Sequence, residues 1–209
     1  VAGRRTFDGT SNRARWSPDA ATLLFNNVST TQNLRGIWTV RSDGSAQAFE
    51  VYRDPSNFDS YQLQSLSVTD NRLIFFSRAL QIGQAALWSL DLSNYENVEM
   101  DIKQLKVSPN TEPVWWARAA TSRDGRLISY VSNESGSNQI YIRPYPDIDL
   151  GKWQISAIDA ASPVWSRSSD EIFFRSGNSF FKVEYEEVSS ESRTFLNLSK
   201  CHIPSWACQ

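Results

Sequence analysis

Histidine is almost missing from this sequence: His202 is the single one, close to the end of the chain. A Ser-His-Asp triad needs an imidazole fixed beside a nucleophile and an acid. The run KCHIPSWACQ (Lys200–Gln209) offers no such frame. His202 therefore reads as an exposed tail residue, and the chain is expected not to be an enzyme. Cysteine is equally scarce. Cys201 and Cys208 can close a disulfide in an oxidising compartment or remain two free thiols; a metal site would need more ligands than His202 beside them. No metal and no cofactor is expected, since glycine-rich phosphate-binding motifs are also lacking. No apolar run approaches the roughly 20 residues of a membrane helix, so no membrane insertion by this segment is expected. Excess basic charge is absent too: 21 Lys and Arg face 23 Asp and Glu, for a net charge of -2. That balance argues against a nucleic-acid partner. The opening VAGRRTFDG is not a signal peptide and lacks Met, which suggests a mature product or an excised fragment.

Aromatic residues are plentiful, with eight Trp, seven Tyr and eleven Phe in 209 residues. Uninterrupted helix-forming stretches are few, while Ser, Asn and Thr abound. Short strands joined by turns suit that mixture. The order of residues sharpens it. RARWSPDAATLLF (Arg13–Phe25) has a Trp, a turn ending in Asp and an apolar run, and GIWTV follows it. SVTDNRLIFF then ALWSL, TSRDGRLISYV then QIYIR, and WSRSSDEIFF then SFFKV repeat the arrangement. A further segment closes each copy: AQAFEVY, DIKQLKV, GKWQISAI and SRTFLNL. Aligned on Asp19, Asp70, Asp124 and Ser168, the copies recur roughly every 40–50 residues, the period of four-stranded propeller blades. The expected fold is all-β: a β-propeller of four-stranded antiparallel blades. Four blades are visible, at about 13–52, 62–107, 114–158 and 163–198, with residues 4–7 an extra strand from a preceding blade. Gly125 accepts the positive φ of a tight turn and Asn71 tolerates it, whereas Ala20 does so poorly, so the first turn is expected to differ.

WSPDAATLLF, TSRDGRLISYVSNESGSNQIYIRPYP and GKWQISAIDAASPVWSRSSDEIFFRSG resemble the TolB-like propeller repeat, whose usual form is Trp-Ser-Pro-Asp-Gly before an apolar strand. Such blades are appended to bacterial serine/threonine kinases and winged-helix regulators. The resemblance covers about residues 4–200. It implies a bacterial protein, in a periplasmic or other extracytoplasmic setting in preference to the cytoplasm. Six blades are usual in that family, so four imply either a piece of a longer propeller or a unit that dimerises to cover its open blade faces. In a bacterial protein the glycosylation-type triplets at Asn27, Asn133 and Asn197 carry little meaning.

Function is then expected at a surface: a non-catalytic binding or sensor module that recognises a protein, peptide or small ligand at rim loops and channel mouth. The alternative is the gating propeller of a serine peptidase whose catalytic domain lies outside this chain. Arg and Trp carry much interface energy. Arg13, Arg15, Arg118, Trp116 and Arg167 are the candidate ligand-binding residues, although Trp residues in such repeats also pack between blades. The loops 26–36 and 77–85 are further candidates. YEEVSSESR (Tyr185–Arg193) reads as a solvated connector, and Asp19, Asp43, Asp70 and Asp124 as caps of their own turns.

Overall fold

The computed structural model describes residues 11–17, 19–27, 35–53, 60–67, 69–78, 85–93, 101–105, 118–190 and 193–203. The expected strand at 4–7, Trp116, Cys208 and most of the loops at 26–36 and 77–85 lie outside them. The chain divides into two compact units, Val1–Leu66 with Asn71–Leu105, and Ser67–Asp70 with Lys106–Gln209.

All regular structure among the described residues is strand, apart from one 3-10 turn at Ile148–Leu150. Blade 1 is β1 (Ser11–Trp16), β2 (Thr22–Asn27), β3 (Gly36–Arg41) and β4 (Phe49–Tyr52). Blade 2 is β5 (Ser60–Ser67), β6 (Arg72–Arg78), β7 (Ala85–Asp91) and β8 (Ile102–Leu105). Blade 3 is β9 (Ala120–Thr121), β10 (Leu127–Ser132), β11 (Gln139–Pro144) and β12 (Trp153–Gln154). Blade 4 is β13 (Ala161–Trp165), β14 (Glu171–Ser176), β15 (Ser179–Ser190) and β16 (Arg193–Ile203). Each blade is a separate sheet whose strands neighbour one another in chain order. The fold is thus the all-β propeller architecture of four-stranded antiparallel blades that the repeat implies.

Side chains alternate across a sheet, so each blade offers two faces. In the first unit Leu24, Ile37 and Val51 of blade 1 pack with Leu63, Leu73, Phe75 and Leu90 of blade 2. Tyr52 of blade 1 meets Tyr61 of blade 2 edge-on at 6.0 Å. In the second unit Leu127, Val131, Ile140 and Ile142 of blade 3 pack with Trp165, Ile172, Phe174 and Val183 of blade 4. The faces used are equivalent in both units: the Leu24/Leu127 face of one blade covers the Leu73/Ile172 face of the next. Inter-blade burial of this kind is what a lone sheet lacks.

The strand register corrects the sequence alignment. Thr22, Arg72, Leu127 and Glu171 each begin a second strand, opposite Arg41, Asp91, Pro144 and Glu184. Counting back five residues lands on Ser17, Ser67, Ser122 and Ser166. The serine, not the aspartate, is the shared position, and Thr69 rather than Asp70 stands where the other turns have Asp19 and Asp124.

Three further expectations change. Ala20 adopts φ 56°, close to the 69° of Gly125, so the first turn does not differ as expected. Tyr185–Arg193 is no solvated connector: β15 and β16 continue in register to the Ser190–Arg193 pair, forming a two-stranded ribbon beyond Glu171, the first residue of β14. His202 and Cys201 are strand residues opposite Phe181 and Lys182, not tail residues. Continuous backbone pairing sets their place, and local sequence gave no sign of it.

Candidate functional site

Each blade begins at an edge strand and a serine-anchored turn. The Ser17 hydroxyl accepts the Thr22 N–H at 2.9 Å and donates to Asp19, whose carboxylate accepts the Ala21 N–H at 2.9 Å. Ser122 repeats this, accepting the Leu127 N–H at 3.0 Å and donating to Asp124 at 2.6 Å. In blade 4, where Ser168 replaces the acid, Ser166 accepts N–H groups of Ser168 and Ser169 at 3.3 and 3.2 Å. Hydrogen bonds from Ser17 and the Ala21 N–H hold the Asp19 carboxyl below its ordinary range. At Asp124 burial pushes upward, and bonds from Ser122 and Arg126 outweigh it. Asp19 and Asp124 are thus committed to their own turns. Among the described residues no three His, Cys, Asp or Glu side chains gather in a way that could hold a metal.

The first strands of paired blades lie close together. Arg15 Nε donates to Gln64 O at 3.0 Å, tying β1 to β5. Trp165 Nε1 donates to Ala120 O at 2.9 Å, tying β13 to β9. Arg123 Nη1 donates to Arg167 O at 3.2 Å, linking the turns of blades 3 and 4. Bulges set the side-chain directions. Arg13 (φ 52°) and Ser162 (φ 59°) occupy the same bulge position in β1 and β13.

These contacts divide the sequence candidates. Arg15 reaches a neighbouring blade through its guanidinium. Arg13, Arg118 and Arg167 are exposed, and none makes an ion pair among the described residues. Arg167 is brought beside Arg123, which sequence reasoning did not single out; both follow a turn serine, and that shared offset was the available signal. Arg126, also exposed, is paired with Asp124 at 2.8 Å. Trp116 falls outside the described residues, as does the Cys208 half of the suggested disulfide. Arg72 and Arg143 are occupied: Arg72 binds Asp101 at 2.9 Å, and Arg143 binds the Tyr130 hydroxyl at 3.0 Å. Burial pushes that tyrosine's pKa up to about 12, so it is neutral at physiological pH.

The surface therefore offers exposed cations on first strands and turns held by rigid sheets, which suits docking. Among the described residues no helix is long and apolar enough to cross a membrane.

No protein-family model and no curated protein matches the sequence. Solved structures do share its fold. TolB from Acinetobacter baumannii superposes with a TM-score of 0.59 at 17% identity, over 90% of this chain and 43% of its own. A candidate TolB from Agrobacterium tumefaciens gives 0.58 at 16%, over 92% and 64%. Prolyl oligopeptidase B from Galerina marginata gives 0.56 at 16%, over 88% and 26%. The chain spans less than two thirds of the length of each of these proteins, and what it shares with them is the β-propeller fold of TolB and of a peptidase.

Proposed function

We propose that this chain is a non-catalytic binding module that docks an acidic protein or peptide segment on the turn rim of blades 3 and 4. The observation that carries the reading is the Arg123–Arg167 pair, joined through the Arg167 carbonyl and exposed on turns that rigid strands hold in place. Arg118, at the start of the same first-strand edge, adds a third exposed cation. Guanidinium groups pair with carboxylates in bidentate geometry, and rim charges act through steering and salt-sensitive attraction. A bacterial sensor or regulator with its propeller outside the cytoplasm is the setting this reading favours, as the TolB-like repeat implies.

The test is fluorescence anisotropy with a labelled glutamate-rich peptide and a lysine-rich control. The account predicts binding of the acidic peptide alone, weakened by salt, and a loss of about tenfold, about 1.4 kcal/mol, in Arg123→Glu/Arg167→Glu. Equal binding of both peptides, or no effect of the double substitution, would contradict it.

The likeness to a prolyl oligopeptidase favours a second reading, a gating propeller beside a hydrolase domain encoded in flanking sequence. A G-x-S-x-G strand-turn-helix element in that sequence would decide for it; a kinase signature would decide for the sensor.

A further inference from the structure

The contact between blades 1 and 2 differs from that between blades 3 and 4 at one end of the second strands. Asn26 lies two residues beyond Leu24 on β2 and opposite Ile37 on β3, so it faces the core shared with blade 2. Ser77 lies two residues beyond Phe75 on β6, so it faces the same core from the other side. The two places are brought together: Tyr52, opposite Ile37 on β4, has its ring 5.9 Å from that of Phe75. Asn26 and Ser77 are each 2% exposed. Yet Asn26 Oδ1 and Ser77 Oγ have no hydrogen-bond partner among the described residues. In blades 3 and 4 the equivalent positions are Val131, opposite Ile140, and Ser176, the last residue of β14. Val131 is apolar and packs in its core, and the Ser176 hydroxyl donates to Asp159 O at 2.5 Å. The polar atoms are thus matched at one contact and left over at the other.

We propose that Asn26 and Ser77 form a binding site for one internal water molecule that bridges blades 1 and 2. The water donates one hydrogen to Asn26 Oδ1 and the other to Ser77 Oγ, taking the place that the Ser176–Asp159 bond has between blades 3 and 4. Buried polar groups that lack a protein partner are commonly satisfied in this way. A neutral ligand is required because both side chains are uncharged and the adjacent Ile37 and Phe75 are apolar; an ion there would lose its hydration without gaining a counter-charge.

Water-oxygen magnetic relaxation dispersion on the full 209-residue chain tests it, with Asn26→Val/Ser77→Ala as the comparison. The wild type is expected to hold one more long-lived water than the double variant, and far-UV circular dichroism checks that the variant keeps its strands. A crystal structure that orders solvent is expected to place a water within about 3 Å of both oxygens. In thermal unfolding each single substitution is expected to lower the midpoint by about 2–4 °C, because it leaves the other oxygen poorly satisfied. The double variant is expected to recover most of that loss. Equal water counts, a direct Asn26–Ser77 bond, or another protein group bonded to the two oxygens would overturn the proposal.

Discussion

Ser122 shows how one hydroxyl fixes the start of a blade. It is buried, accepts the Leu127 N–H and donates to Asp124. Ser122→Ala leaves that amide without its partner and is expected to cost about 1–3 kcal/mol in denaturant unfolding. Ala20 holds a left-handed conformation at φ 56°. Ala20→Gly is expected to stabilise the chain by up to about 1 kcal/mol, because the Cβ penalty of that region disappears. The turn acids give the pH dependence. Asp19 and Asp124 have folded pKa values below the ordinary 3.8. Groups of this sign contribute stability that is fully present above the unfolded pKa and is lost as pH falls through the folded one. The thermal midpoint should therefore hold level from neutrality into mild acid and decline below about pH 4. Asp124→Asn should flatten part of that decline.

At the scale of strands and blades, the second and third strands were the most legible in the sequence. Within TLLF, RLIFF and RLISYV the apolar residues 24–25, 73–75 and 127–131 end up buried, and only the alignment of blade 2 was off by one. The reason is chemical. Asp70 looks like Asp19, but Ser67 and Thr69 hold the turn, with their hydroxyls 3.4 Å apart. The β15–β16 ribbon was illegible because Glu186, Ser189, Ser190 and Ser192 read as turn and solvent chemistry. Cross-strand pairing overrides that local preference, as strand propensity often yields to context. The site was legible in kind, through arginines ahead of and within the turns. All the described ones are exposed; which of them bond to the next blade depended on reach, and a single sequence does not encode that distance. Blade packing itself makes a prediction at this scale. Trp165→Ala should cost about 3–5 kcal/mol, as large buried aromatics do, whereas Trp165→Phe should cost about 1 kcal/mol for the bond to Ala120.

For the whole molecule, two units each stack one blade on the next through equivalent faces, with Leu24 and Leu127 on one side and Leu73 and Ile172 on the other. The sheets supply rigidity, and the exposed turns and first strands supply what a partner can meet. The docking rim rests on that division of labour. Amide hydrogen exchange, resolved residue by residue, tests it most directly. Slowest exchange is expected in the two middle strands of every blade: β2 and β3, β6 and β7, β10 and β11, β14 and β15. A blade whose middle strands exchange as freely as its turns, or protection running through ten or more consecutive amides in the manner of a helix, would contradict the account.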